Sequence, residues 1–201
     1  MRKGLLFIIS GPAGSGKGTV VNELLQSHPE LKLSISATTR NPRPGEIDGT
    51  HYYFITKEEF EQRISNGKML EYTTYGTNYY GTPLKEVQEA LDSGIDVVLE
   101  IEVDGAMQIK KKINGAVAIM LTPPNSEVLE NRLRGRGTET EDVIKWRLDR
   151  AKEEIKLMPE YDYAVVNEDG SADICAEEIY GIIKAEHKKT IYTSSIIEKF
   201  I

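Results

Sequence analysis

Residues 11–19 read Gly11, Pro12, Ala13, Gly14, Ser15, Gly16, Lys17, Gly18, Thr19, directly after the apolar run Leu5-Leu6-Phe7-Ile8-Ile9-Ser10. The run predicts a buried strand. Val20, Val21, Leu24 and Leu25 then fall on one face of a helix. Strand, GxxxxGK turn and helix in that order form the phosphate-cradling P-loop. The residue types follow from the chemistry. Glycines let successive backbone N–H groups turn inward, the helix start adds positive potential, and Lys17 supplies a mobile cation. The pattern implies a nucleoside triphosphate ligand. Gly18 stands where a magnesium-holding Ser or Thr is usual, with Thr19 one place later. The metal is therefore expected through water, near Thr19 and Glu100, with no direct protein ligand.

The 201 residues are long enough for one folding unit with a substantial core. No stretch approaches the ~20 consecutive apolar residues of a membrane helix. The start Met1-Arg2-Lys3-Gly4 leads straight into the first strand, which reads as an unprocessed, cytoplasmic chain. Cys175 is the only cysteine, so an internal disulfide is excluded and a reducing compartment fits. It is expected on the apolar side of the last helix, without chemistry.

A net charge of −7 argues against general nucleic-acid binding but not against a nucleotide, which needs only local cations. Of the nine arginines, five (Arg132, Arg134, Arg136, Arg147, Arg150) lie within 19 residues, and Arg40 and Arg43 form a second group. The planar, always-charged guanidinium suits phosphate. Two arginine groups and one P-loop suggest two phosphate-bearing ligands.

Strands are read at 95–101, 116–121 and 163–166, with helices near 105–113, 126–135, 140–157 and 172–190. Ile144, Leu148, Ala151, Ile155 and Met158 form a helical stripe ended by Pro159. This alternation predicts an α/β fold, a parallel sheet covered by helices. The stretch from about 36 to 82 breaks the rhythm. It holds six of the ten tyrosines and reads as antiparallel strands with one helix near 57–66, an inserted subdomain. The run Lys110-Lys111-Lys112 is expected to end a helix beside its negative dipole, facing water. Glu100 and Glu102 are read as alternate residues at the end of a buried strand, on one side of the sheet.

The chain resembles guanylate kinases over about 4–187. The segments are GPAGSGKGT (11–19), SATTRNPRPGE (36–46), GTHYYF (49–54), MLEY (69–72), NYYGTP (78–83), LEIEVDG (99–105), GRGTETE (135–141) and VVN (165–167). The resemblance implies a P-loop parallel-sheet core (4–35, 83–125 and 156–187), a mixed GMP-binding subdomain (36–82), a helical lid (126–155) and a tail (188–201). It also implies reversible phosphoryl transfer from ATP to GMP, extending to dGMP, with Mg2+ and a place in purine nucleotide metabolism and GMP recycling.

The residue types agree with that implication. Guanine offers N1–H and N2–H to one carboxylate and O6 or N7 to hydroxyls; Glu71, Ser36 and Thr82 are such groups. By resemblance they line the base pocket, where family members often have serine at Thr82. By resemblance also, Arg40, Arg43, Tyr52 and Tyr80 meet the GMP phosphate, while Tyr53, Tyr72 and Tyr75 are packing. Glu100 and Glu102 would hold magnesium through its waters or touch the GMP ring and Lys17; the family commonly has aspartate at Glu102. Lys17, Arg136 and Arg147, with Arg132 or Arg43 nearby, would neutralise the transferred phosphoryl group. Asn167 falls where the family touches adenine. No general base is needed, because the GMP phosphate is already an anion. Arg134 and Arg150 read equally well as solvated helix charges. The Ser36–Arg40–Arg43 spacing and Glu71 argue against another nucleoside monophosphate kinase. Retention of Lys17, Arg136 and Arg147 argues against a non-catalytic protein-binding module. No membrane partner is expected; a homodimer stays open. Tyr192 and the Ser194-Ser195 pair are read as the frayed end of the last helix.

Overall fold

The computed structural model of the chain describes residues 3–135, 137 and 140–192. In chain order the elements are β1 (Leu6–Ser10), α1 (Lys17–Ser27), β2 (Lys32–Leu33), β3 (Ala37–Thr38), β4 (Tyr53–Phe54), α2 (Lys57–Ser65), β5 (Met69–Tyr75) and β6 (Asn78–Pro83). They continue as α3 (Leu84–Asp92), β7 (Val97–Glu100), α4 (Val103–Lys112), β8 (Val117–Thr122), α5 (Ser126–Gly135), α6 (Glu141–Ile155), β9 (Tyr163–Val166) and α7 (Ala172–Glu186).

One sheet of five strands runs β2-β7-β1-β8-β9, and every neighbouring pair is parallel. β1 is buried at all its positions because helices cover both faces. The period-2 alternation divides it: Phe7 and Ile9 pack with Val20, Leu24 and Ile179 on the α1/α7 side. Leu6 and Ile8 pack with Leu91, Ala106 and Ile109 on the α3/α4 side. Cys175 lies buried in the first of these cores, as its place in the sequence suggests.

A second, four-stranded sheet runs β4-β3-β6-β5. β5 and β6 form an antiparallel hairpin and β3 pairs antiparallel with β6, but β4 joins β3 in parallel. The sheet is therefore mixed. Phe60 of α2 is fully buried under it and stacks on Tyr79 at 5.1 Å between centroids. α5 and α6 pack on each other through Leu129, Leu133, Ile144, Leu148 and Ala151.

Several readings shift at element ends. The strand read at 95–101 forms only over 97–100, with the Asp96 carbonyl and the Ile101 N–H bonded just outside it. Glu102 therefore lies beyond it at the N-cap position of α4, without a side-chain cap bond. Met158 falls in a short 3-10 turn after α6, because Pro159 has no N–H with which to continue the helix. The last helix stops at Glu186, and Tyr192 sits in a separate 3-10 turn, Thr190–Tyr192. Ser194 and Ser195 lie outside the described residues. The lysine run is not wholly solvated: Lys110 bonds Asp162 at 2.8 Å and Lys112 bonds the Leu70 carbonyl at 3.1 Å.

Candidate active site

The loop between β1 and α1 turns at Gly16, which adopts φ 90° and opens the helix. A Cβ there would lie 2.3 Å from the Asn167 side-chain nitrogen, so both conformation and space call for glycine. Lys17 is 9% exposed, and its Nζ donates to the carbonyls of Gly11 at 2.6 Å and Pro12 at 3.4 Å. The Glu102 carboxylate lies 3.9 Å from the same ammonium. Lys17 is thus folded over its own loop, beside the carboxyl ends of the parallel strands where open α/β sheets bind ligands.

A cavity of about 380 Å³ opens in front of it. Ala13 and Lys17 come from the P-loop, Glu100 from the end of β7, and Glu102 from the cap of α4. Ser36, Tyr52, Glu71 and Tyr80 enter from the second sheet, and Arg147 from α6. The P-loop, the end of β7, the start of α4, the second sheet and α6 thus all contribute side chains to one space.

Glu71 is 3% exposed; its Oε1 accepts a 2.7 Å hydrogen bond from the Thr82 hydroxyl. Burial pushes its carboxyl above the usual carboxylate range, and the Thr82 bonds and Lys112 pull the other way. The hairpin register explains the pairing, since Glu71 stands opposite Thr82 across β5 and β6. A buried carboxylate that lines a cavity and has acceptor capacity left beyond the Thr82 bond is suited to a pair of N–H donors.

Arg40 is bound by Glu46 in two parallel bonds of 2.8 and 2.9 Å, and packs on the rings of Tyr52 and Phe54. That partner holds the guanidinium above its usual range and brings the Glu46 carboxyl down to about 2. The Arg40 Nε is buried without a hydrogen-bond partner. Tyr52 and Tyr80 meet edge to face at 6.2 Å beside it. Arg43 lies on the exposed loop, where its backbone N–H donates to Glu46 at 2.6 Å.

Two predicted ATP residues sit on the other side of the P-loop. The Asn167 amide donates to the Ser15 carbonyl at 2.8 Å. Arg132 donates to the Asn167 carbonyl and to Asp169, each at 2.7 Å, and to Ser15 at 3.4 Å. Arg136 lies outside the described residues. Arg134 pairs with Glu130 and Glu141 as a solvated helix charge. Arg150 instead lines the cavity, bonded to Glu154 at 2.7 Å and to Asp104 at 3.3 Å. Trp146, Glu154 and Tyr75 also line it, and sequence reasoning assigns them no role there. The i,i+4 spacing of Trp146, Arg150 and Glu154, which puts them on one helix face, is the signal that could have found them.

Among the described residues no group of three or more His, Cys, Asp or Glu could hold a metal ion. Glu100 nevertheless stands over the start of α1, its Oε1 3.4 Å from where a Cβ on Gly18 would be. With Glu102 beside Lys17, this leaves two carboxylates at the P-loop. The pair fits a hydrated magnesium ion, which keeps several waters and takes one or two carboxylates.

The guanylate kinase family model matches residues 3–186. The chain belongs to the guanylate kinase family. It is 52% identical over 199 residues to the guanylate kinase of Lactococcus lactis subsp. lactis, covering 99% of this chain and 95% of that one. With the guanylate kinase of Streptococcus agalactiae serotype III it shares 57% identity over 187 residues, covering 92% and 88%. The crystal structure of guanylate kinase from Anaplasma phagocytophilum superimposes with a TM-score of 0.75 at 34% identity, over 94% of this chain and 89% of that one. The P-loop parallel-sheet core of the guanylate kinases is the one described above.

Proposed function

We propose that this chain transfers the γ-phosphoryl group of ATP reversibly to GMP, giving ADP and GDP. The observation that carries the reading is the meeting of a buried carboxylate, Glu71, with the P-loop lysine, Lys17, across one cavity. Glu71 would accept from guanine N1–H and N2–H, and Ser36 would offer its hydroxyl to the other edge. Thr82, whose hydroxyl donates to Glu71, would line the base pocket by holding that carboxylate. Arg40, Arg43, Tyr52 and Tyr80 would take the GMP phosphate; the two-bond clamp on Arg40 already orients its guanidinium.

The P-loop N–H groups from Gly11 to Thr19 would hold the ATP phosphates, with Lys17 leaving its carbonyl partners for the β and γ oxygens. Arg147, and Arg136 from the connection between α5 and α6, would neutralise charge spreading over the transferred group. Arg132 and Asn167 would serve ATP by bracing the loop at Ser15. Magnesium, held through its waters near Thr19, Glu100 and Glu102, would supply charge neutralisation between the phosphates. The phosphate oxygen of GMP attacks unaided, so the protein's work is alignment and exclusion of water.

In this reading residues 36–82 take GMP, 126–155 close as a lid, and 4–35, 83–125 and 156–187 form the core, with 188–201 a tail. The resemblance to guanylate kinases extends the reading to dGMP. A role in GMP recycling follows from the reaction. No described helix is long and apolar enough to cross a membrane. The test is a coupled assay of ADP formation with GMP, dGMP, AMP and UMP. Turnover with GMP and dGMP well above AMP and UMP is expected; equal turnover with AMP, or none with GMP, removes the reading.

A further inference from the structure

α4 carries a glycine in its first turn. Gly105 is buried and its φ is not among the positive ones, so neither a turn nor a left-handed backbone requires it. Glycine is also the poorest helix former after proline, so local preference argues for alanine at this place. Space argues the opposite. A Cβ on Gly105 would stand 2.6 Å from Glu71 Oε2 and 3.2 Å from Glu71 Cδ, with Ile101 Cδ1 next at 3.3 Å. By contrast, a Cβ on Gly181 in α7 would meet nothing.

We infer that Gly105 is a specificity-determining positioning residue: the side chain it lacks is the room in which the Glu71 carboxylate lies. The inference rests on the proposal that Glu71 reads guanine. Glu71 has little freedom to yield. Its Oε1 is already bonded to Thr82 at 2.7 Å, and the residue is 3% exposed. A methyl group on α4 must push Oε2 toward the cavity or pull Oε1 away from Thr82. Either movement spoils the alignment of two acceptors with two donors that a base-reading carboxylate needs. The helix gives up some of its own stability, and the carboxylate gains a fixed place. The three atoms nearest to such a Cβ are side-chain atoms, two of Glu71 and one of Ile101, and the shortest approach is to the Glu71 carboxylate.

The test compares Gly105→Ala, Glu71→Ala, the double variant and Gly181→Ala. Inosine monophosphate, whose base lacks the exocyclic amine of guanine, serves as a second substrate. Gly105→Ala is expected to fold and to keep its KM for ATP within about twofold. Its KM for GMP should rise about tenfold, the size of one weakened buried hydrogen bond, and its preference for GMP over inosine monophosphate should fall. In the Glu71→Ala background Gly105→Ala should change neither value further. Gly181→Ala should leave both nucleotides untouched.

An unchanged KM for GMP in Gly105→Ala, while Glu71→Ala raises it, overturns the inference and leaves Glu71 standing. A GMP effect of Gly105→Ala that persists undiminished without the Glu71 side chain assigns the clash to Ile101 and also overturns it. If Glu71→Ala itself leaves the KM for GMP unchanged, the guanine reading fails and the inference with it. Should Gly105→Ala fail to fold, the clash requires folding to return in the double variant; continued failure there sinks the inference.

Discussion

The Arg147 guanidinium on α6 lies 3.4 Å from the Tyr75 hydroxyl at the tip of the β5–β6 hairpin. The two residues are 72 apart in the chain, and their contact joins the α5/α6 layer to the edge of the second sheet. Arg147, Tyr75 and Lys17 all line the one cavity. Tyr75, read from the sequence as packing, is 48% exposed and is better described as the far post of this bridge.

Arg147→Ala is expected to lower kcat by about 10²–10³, the range for one lost donor to developing charge, with smaller changes in either KM. Tyr75→Phe keeps the arginine and should cost only a few-fold. Circular dichroism should report an intact α6, since Ile144 and Ala151 hold it and alanine is a good helix former. Steady-state kinetics for both nucleotides decide the matter: unchanged kcat with weaker ATP binding would make Arg147 a ground-state ligand.

Lys17→Met removes a cation that donates to the loop carbonyls of Gly11 and Pro12 and lies 3.9 Å from the Glu102 carboxylate. The fold should survive, because Lys17 belongs to neither apolar core of the parallel sheet and methionine is an unbranched side chain of similar length. Turnover should fall by a factor corresponding to about 3–4 kcal/mol of transition-state stabilisation. Single-turnover measurements on the folded variant give the number, and near-normal turnover would exclude Lys17 from the chemistry.

Glu71 governs a pH dependence whose sign is set by burial. Its folded pKa lies above the 4.5 of an ordinary glutamate, so the native state holds the proton more tightly than the unfolded chain. Stability contributed by the protonated form is therefore present at low pH and is lost as pH rises from 4.5 through the folded pKa. GMP needs the ionised form, so its KM should fall with rising pH over the same window. The GMP phosphate also titrates, near pH 6 for a phosphate ester. Comparison with Glu71→Gln separates the two, because only the Glu71 component should vanish. The Gln variant should also show a raised KM for GMP and an unchanged KM for ATP, the cost of an unpaired guanine donor being about 1–3 kcal/mol.

Asn167→Ala deletes the amide that holds the Ser15 carbonyl at 2.8 Å. A buried bond of this kind is worth about 1 kcal/mol, so a modest fall in melting temperature is expected. The KM for ATP should rise several-fold while that for GMP stays constant, because the bond braces the P-loop and touches nothing in the second sheet. Equal effects on both nucleotides would show a general loosening of the core instead.

Features set by neighbours along the chain are legible in the order of residues alone. The P-loop, the buried strands at β1 and β8 and the apolar stripe of α6 follow from glycine spacing and hydrophobic period, both local properties of the backbone. β9, read as buried too, lies at the sheet edge with only Val165 buried and Val166 47% exposed. The register that pairs Glu71 with Thr82 has a local origin too, since a two-residue turn at Gly76 and Thr77 defines the hairpin. α3 is absent from the sequence reading although Val87, Ala90 and Leu91 recur at helical spacing and form its buried face.

What stays hidden depends on contacts between residues distant in sequence. Glu102 leaves the strand because hydrogen bonding to β1 ends near Ile101, and no side-chain pattern marks that point. Asn167 and Arg132 meet Ser15 across separations of 152 and 117 residues, and Arg150 meets Asp104 across 46. A lone asparagine or arginine carries the same local signal whether it faces water or another loop. The residue types of the site were therefore readable in one dimension. Which carbonyl each amide holds, and which glycine makes room for which carboxylate, was decided only when packing brought their elements together.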